Sequence, residues 1–259
     1  MKNNFIVFIH SYSELDMILP FIDYVLTKHN DQVTLYTDNR NIQDAAYYHL
    51  EYLKTYHKIK PKYFFEEQFF VKYRYILLLH DNIKQFRKKR KKEKNIRYIG
   101  YMISIISLIM TRVAEYTLEK PIKEYVDTLN ISDRIMMYCS GEVKFPCRAI
   151  VNYAEKRDIK TIGYFQGFYL YSNLKITGKA VTVKRSIRKV ISDYIKTGKR
   201  QYCNYYLVGK SMKNTFFRSV ASIGFNKMDR IVETVTPRYT KGWTKIFRAY
   251  LMKNEKINY

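Results

Sequence analysis

Short apolar runs alternate with segments of helical periodicity near the start of the chain. Residues 5–9 form one uninterrupted apolar run, and Gln32–Thr37 forms a second, rich in β-branched and aromatic residues. Between them, apolar residues recur at helical spacing over 14–29, with Ser13 as the expected N-cap. A second helix, capped by Asp38 and Asn39, is expected over 45–53. This strand–helix order favours a doubly wound sheet.

The same order resumes in the second half of the chain. The runs at 133–138, 161–165, 203–208 and 230–235 are short, apolar and followed by turn or polar residues. Helical periodicity lies over 145–157, where Pro146 suits a first turn, and a closing helix is expected over 244–252. We therefore predict an α/β fold with a Rossmann-like, mostly parallel sheet flanked by helices.

The stretch 63–126 interrupts this alternation. Residues 64–79 are aromatic-rich and fit either a helix or a strand. The uncharged run 98–110 is too short for a spanning helix, which needs about 20 apolar residues. It fits either a buried core helix or a helix lying in the membrane interface. We predict a single domain over 1–243 with a basic and apolar helical insertion at 63–126, followed by a closing helix or an inter-domain crossover over 244–259.

Positive charge is concentrated in two segments of a chain whose formal net charge is +24. Residues 84–97 and 175–200 each contain nine basic side chains and one acidic side chain. Such clusters are typical of proteins that bind anionic partners, although a solvated helix face has a similar composition. We expect an anionic membrane surface as a partner. The candidate membrane-binding residues are Arg87, Lys88, Lys89, Arg90, Lys91 and Lys92.

No cofactor or metal motif is recognisable in the sequence. The five histidines lie within the first 80 residues without zinc-type spacing, and the three cysteines form no CxxC pair. Glycine-rich GxGxxG and GxxxxGK[ST] loops are also missing, so a nicotinamide dehydrogenase is not supported and no cofactor is expected. The first apolar run is too short for a signal peptide and lacks a cleavage site, which favours a cytoplasmic protein.

Polar residues follow the predicted strands, where a doubly wound sheet opens its binding crevice. His10 is a candidate general base because imidazole titrates near neutral pH, with a capping or packing role as the alternative. Glu142 is a second candidate base or a ligand of an acceptor hydroxyl. Gln166 can donate and accept hydrogen bonds, and Gly167 lets a ligand approach the backbone. The other candidate substrate-binding residues are Ser11, Ser140, Lys210, Ser211 and Arg238.

Three motifs stand in a characteristic order along the chain. Phe165-Gln166-Gly167 follows a predicted helix that carries Arg148, Tyr206-Leu-Val-Gly-Lys-Ser211 comes next, and Val235-Thr-Pro-Arg-Tyr-Thr240 is last. The order resembles the N-terminal half of GT-B glycosyltransferases. The closest similarity is to the branch that makes capsule and teichoic-acid-like polymers, including the CDP-glycerol glycerophosphotransferases.

The resemblance covers about residues 130–243, and 1–60 by topology only. It implies a nucleotide-sugar-dependent or glycerophosphotransferase-like enzyme that builds a bacterial surface polysaccharide on a lipid-linked or glycan acceptor. The basic and apolar region 84–110 is expected to dock the protein peripherally at the inner face of the cell membrane. Such enzymes bind the donor on a C-terminal domain, which we expect on a further segment or a separate chain. Gln166 stands where the relatives have histidine, so this chain needs another base, such as His10 or Glu142, or has lost activity.

Two other classes of protein remain compatible with the sequence. The net charge, 26 tyrosines and 15 phenylalanines suit a nucleic-acid-binding protein. The lack of a recognised nucleic-acid motif, and aromatic residues at core periodicity, argue against that class. A non-catalytic, membrane-associated scaffold of a biosynthetic complex is the other alternative.

Overall fold

The computed structural model describes residues 4–29, 31–43, 47–90, 97–138, 144–164, 202–209, 213–214, 227–234 and 240–254. Within these residues, seven strands pair in parallel in one sheet. They are β1 (Asn4–Ile9), β2 (Gln32–Thr37), β3 (Lys62–Tyr63), β4 (Arg134–Tyr138), β5 (Lys160–Tyr164), β6 (Tyr205–Gly209) and β7 (Ile231–Thr234). Their order across the sheet is β3-β2-β1-β4-β5-β6-β7, which confirms the predicted α/β, Rossmann-like fold.

Helices cover both faces of this sheet. They are α1 (Tyr12–Lys28), α2 (Arg40–Gln43), α3 (Tyr48–Tyr52), α4 (Arg74–Arg90), α5 (Arg97–Asp127), α6 (Cys147–Glu155) and α7 (Lys241–Asn254). None of these described helices is both long enough and apolar enough to cross a membrane.

The apolar run in β1 reflects burial on both faces of the sheet. Ile6 and Phe8 join one core with α5 and α6, whereas Val7 and Ile9 join a second core with α1 and α7. Successive side chains of a strand point to opposite faces, so a central strand between two helical layers has no solvent-facing side. This arrangement explains why the sequence shows no polar alternation here.

Local structure after β2 and β3 differs from the sequence-based expectations. The single helix expected over 45–53 is wrong, because α2 and α3 are separate and a π-helical turn, Leu53–His57, follows α3. Ala45 and Ala46 lie outside the described residues. The segment at 64–79 begins with two 3₁₀ turns before α4 starts at Arg74, and the two-residue strand β3 was not predicted. Strands this short carry too little pattern to be recognised.

Candidate functional site

The candidate site lies at the carboxyl end of β1. In the parallel pairing of β1 with β2, Ile9 is opposite Thr37, which brings the following residues, His10 and Asp38, side by side. The other neighbour of β1 is β4, and the strand order changes direction between β1 and β4. In open α/β sheets, ligands bind in the crevice at this change of direction.

The start of α1 holds the backbone of His10 in place. Ser11 is the N-cap in an extended conformation, and its hydroxyl accepts a hydrogen bond from the backbone N–H of Glu14. The backbone N–H of His10 donates to Glu14 Oε2 at 2.7 Å, so the acidic residue of the first turn reaches back over the cap. The prediction of Ser13 as the N-cap is wrong by two residues. Ser13 instead lies 3.0 Å from the Ser11 hydroxyl.

The imidazole of His10 lies between a carboxylate and a thiol. Its Nδ1 is 2.6 Å from Asp38 Oδ1, and its Nε2 is 3.5 Å from Cys147 Sγ at the start of α6. A carboxylate only accepts hydrogen bonds, so we assign the Nδ1 proton to the bond with Asp38. Nε2 is then the nitrogen that can take up a further proton. The His10 side chain is 10% exposed and that of Asp38 is 18% exposed.

The surroundings of His10 favour its protonated form. Burial lowers the pKa of His10, but Cys147 and the Asp38 carboxylate raise it, and the net direction is upward. Burial also raises the pKa of Cys147, which therefore remains a thiol at neutral pH. The Asp38 carboxylate is consequently the charge that stabilises the imidazolium. Burial likewise raises the pKa of Glu14, and His10 opposes that rise.

Cys147, His10 and Asp38 also have the order of a cysteine-nucleophile triad. A nucleophilic thiol has to be exposed and to ionise readily, which normally needs a lowered pKa. The side chain of Cys147 is fully buried and its pKa is raised. These two properties argue against a covalent role for Cys147 and favour the histidine–carboxylate pair as the reactive part of the site.

A cleft of about 460 Å³ opens at the same edge of the sheet, beyond β3. Tyr63 ends β3 opposite Thr37, so the cleft begins one strand away from Asp38. The guanidinium of Arg40 lies 4.7 Å from the centre of the Tyr63 ring, and the Tyr63 hydroxyl donates to Asp81 at 3.5 Å. Arg74 and Glu66 also line the cleft. Aromatic rings beside groups of both charges suit a polyhydroxyl ligand, which offers both donors and acceptors.

A second cavity, of about 520 Å³, lies between α1, the sheet and α7. Its described lining is mainly apolar and includes Phe21, Leu207 and Trp243. Asp23, which also lines it, is hydrogen-bonded by Tyr52 and His57 at 2.7 and 2.8 Å. The carboxylate therefore joins α1 to the segment after α3, and this cavity offers less acid–base chemistry than the His10 site.

The sequence-predicted site residues fall into two groups. His10 and Ser11 lie at the carboxyl end of β1, and the backbone of Arg87, Lys88, Lys89 and Arg90 forms the last turn of α4. The remaining candidates lie outside the described residues and stay predictions: Glu142, Ser140, Gln166, Gly167, Lys210, Ser211, Arg238, Lys91 and Lys92.

Sequence reasoning missed Asp38 and Cys147 as partners of His10. The sequence pattern indicates Asp38 only as a helix cap, although it follows β2 as His10 follows β1. Residues that follow neighbouring parallel strands meet at one edge, so this partner was within reach of the sequence pattern. Cys147 lies 137 residues from His10 and could not be found by spacing.

Comparisons with protein families, curated proteins and solved structures find no match to this chain. The fold defines it as an α/β protein with a doubly wound, Rossmann-like parallel sheet. Its functional interpretation therefore depends on the chemistry at the carboxyl end of the sheet.

Proposed function

We propose that this chain is the acceptor-binding part of a nucleotide-sugar-dependent transferase that builds a bacterial surface polysaccharide. The observation that carries the proposal is the histidine–carboxylate pair, His10 and Asp38, at the point where the strand order changes direction. A carboxylate on Nδ1 orients the ring and stabilises the imidazolium that forms when Nε2 accepts a proton. The resemblance of the later motifs to GT-B transferases supplies the reaction class.

In the proposed reaction, an acceptor hydroxyl attacks the anomeric carbon of the donor while its proton passes to Nε2 of the neutral form of His10, which the raised pKa makes the minor form at neutral pH. The bond from that carbon to the phosphate oxygen breaks, and its electron pair leaves with the nucleotide. Inversion at the carbon follows from a single displacement. A glycerophosphotransferase would use the same base, with attack at phosphorus. Glu142 remains the alternative base.

The cleft beyond β3 is the proposed site of the acceptor. Arg40 follows Asp38 in the chain by two residues and stacks on Tyr63, so one wall of the cleft is close in sequence to the carboxylate partner of the base. Gln166, Gly167 and the other predicted binding residues would contribute from the strands on the far side of β4. The nucleotide donor would be held by a second Rossmann-like domain, from a further segment or a separate chain, because transfer needs both substrates together.

The proposed place of action is the cytoplasmic face of the cell membrane, where lipid-linked acceptors are found. The basic last turn of α4, Arg87-Lys-Lys-Arg90, supports attraction to an anionic surface. Reaching the bilayer would concentrate the acceptor near the His10 site.

The proposal is tested by replacing the gene in its own cells and measuring the surface polysaccharide. His10→Ala should reduce the rate of polymer synthesis by about 100-fold, the typical contribution of a general base. His29→Ala is the matched control, since His29 lies on the exposed end of α1 and should leave synthesis unchanged. Unchanged synthesis with a folded His10→Ala protein would overturn the proposal.

The same experiment distinguishes a nucleophilic role of Cys147 from the general-base role of His10. Cys147→Ala should retain synthesis within about threefold, because the thiol only contacts the base. If Cys147→Ala and Cys147→Ser both abolish synthesis as completely as His10→Ala, the thiol is the nucleophile and the base model fails.

A further inference from the structure

The exposed face of α5 changes its chemistry along the helix. Between 105 and 116 its exposed side chains are all apolar or aromatic, and from 120 to 127 they are all charged. The first group is Ile105, Ile106, Ile109, Met110, Val113 and Tyr116. The second group is Lys120, Lys123, Glu124 and Asp127. At 100° per residue both groups fall on the same side of the helix, within an arc of roughly 140°.

The apolar group is open to solvent rather than part of a core. Ile106 and Ile109 are each 56% exposed, Val113 is 57% exposed and Tyr116 is 79% exposed. The opposite side of α5 packs on the protein through Ala114, Leu118 and Ile122. A helix that only faces water would carry charged residues along its whole outer side, as α5 does beyond Tyr116.

The apolar half of α5 is the half nearest to the basic run. Helix α4 packs against α5 and ends in Arg87-Lys-Lys-Arg90, and α5 begins at Arg97. The described part of α4 adds its own exposed apolar side chains, of which Tyr75 is 87% and Leu79 43% exposed. Apolar residues beside a basic cluster are the pattern of helices that lie in the interface of an anionic membrane.

We propose that α5 docks on an anionic lipid bilayer through its exposed apolar side over 105–116, lying along the interface without crossing it. The apolar part is roughly 17 Å long, at 1.5 Å per residue, so it can insert only sideways into the headgroup region. The charged side chains from Lys120 onward end the apolar contact, so the helix has a defined length of contact with the headgroup region. This inference deepens the proposed membrane location and rests on it, but it requires no transfer chemistry.

The test is co-sedimentation of the full chain with vesicles of phosphatidylcholine containing phosphatidylglycerol. The variant Ile109→Asp, Val113→Asp should bind these vesicles about tenfold or more weakly, because it places two charges in the apolar contact. The matched control is Lys120→Gln, Lys123→Gln on the same side of α5. Both variants lower the net charge by two units and so lose a similar attraction to the anionic surface, but the control should lose clearly less binding than the aspartate variant, because only the aspartate variant also loses the apolar contact.

Three results would overturn the docking surface. The first is equal loss of binding in both variants, which would mean that net charge alone attracts the vesicles. The second is undiminished binding by the aspartate variant. The third is a dimer of the unchanged chain in lipid-free solution that the aspartate variant dissociates, which would make this side a contact between two copies. Circular dichroism melting of each variant establishes that it is folded, since all four positions are exposed.

The outcome is independent of the catalytic proposal. His10→Ala should bind vesicles like the unchanged chain, because His10 lies at the end of β1 and is not one of the exposed side chains of α5. Loss of polymer synthesis with intact vesicle binding would leave the docking inference standing, and loss of vesicle binding alone would leave the His10 chemistry standing.

Discussion

At the scale of single residues, His10 is held by groups from three separate parts of the chain. Glu14 accepts from its backbone N–H, Asp38 holds Nδ1, and Cys147 lies against Nε2. The ring therefore has one orientation, and its proton affinity is governed by Asp38. A base held in this way has a fixed orientation, but an acceptor can reach Nε2 only where the contact with Cys147 opens, and the ring is protonated more readily than a free imidazole.

Removing the carboxylate should change the pH dependence of transfer. The raised pKa of His10 means that the neutral base becomes more populated as pH rises, so the transfer rate should increase towards alkaline pH. Asp38→Asn lowers the pKa of His10 and should move this rise to lower pH, with a limiting rate reduced about tenfold or more. The measurement is the pH profile of kcat/KM in membranes that contain the assembled transferase. A rise at the same pH in both proteins would assign the titration to another group.

The same pKa shift predicts a change in stability. A pKa raised by folding stabilises the protein fully below the ordinary value of 6.5 and loses this effect as pH rises through the folded-state value. The free energy of unfolding should therefore decrease above neutral pH in the unchanged chain and decrease less in His10→Asn. Urea titrations at a series of pH values compare the two, and parallel curves would contradict the raised pKa.

At the scale of elements, a buried ionic cluster joins α5 to α6. Glu115 accepts from Arg112 at 2.7 Å, and Arg148 of α6 lies 3.9 Å from Glu115 and 3.4 Å from Glu119. Burial raises the pKa of Glu115, but His80, Arg112 and Arg148 lower it by more. The net shift of the pKa is downward, so the carboxylate stays charged. Arg148, part of the motif that resembles the transferases, therefore has a structural role in joining these helices.

Glu115→Gln should destabilise the protein by about 3 kcal/mol, because it removes the countercharge of the partly buried Arg112 and one of the two carboxylates beside Arg148. The control is Lys123→Gln on the same helix, whose partner Asp127 is exposed and whose loss should cost about 0.5 kcal/mol or less. Urea unfolding at neutral pH measures both. The lowered pKa of Glu115 also predicts a pH dependence. Charged Glu115 stabilises the folded protein above the ordinary pKa of 4.5, and this contribution should vanish as the pH falls through the folded-state pKa. A cost for Glu115→Gln no larger than that of the control would contradict the buried role.

At the scale of the whole molecule, α7 returns from the last strand of the sheet to the first helices. Trp243 packs on Phe247 and on Tyr52 of α3, with ring centres 5.3 and 5.5 Å apart. Tyr52 in turn donates to Asp23 of α1. Elements distant in sequence thus share one core, which should make their unfolding cooperative.

Trp243 is the single tryptophan of the chain, so its fluorescence reports directly on the docking of α7. We expect the fluorescence and far-ultraviolet circular dichroism transitions in urea to coincide. Tyr52→Leu should lower both midpoints together, with a loss of about 3 kcal/mol in the free energy of unfolding, since it removes a buried ring and a hydrogen bond. Tyr24→Leu, at a half-exposed position of α1, is the control and should have little effect. A fluorescence change that precedes the circular dichroism change would show that α7 unfolds separately.

The hydrophobic pattern along the chain was sufficient to predict most of the strands and helix α1. The runs that became β1, β2, β4 and β6 were recognisable because central parallel strands are apolar on both faces, and α1 followed from its helical spacing. The position of His10 at a strand end followed from the same reasoning. The short strand β3 and the separation of α2 from α3 could not be predicted in this way, because a few residues carry no reliable period.

The sequence by itself determined the order of strands and helices, the positive charge and the placement of His10 after β1. The pattern of strands allowed a contact between Asp38 and His10, which the strand register establishes, but only the tertiary structure decided that Cys147 lies on the other side of the ring, because the return of α6 brings together residues far apart in the chain. The tertiary structure also decided that Ile106 and Ile109 face outward, an outcome the apolar run 98–110 left open. Periodicity records which residues share a side of an element, whereas packing against other elements selects the side that is buried.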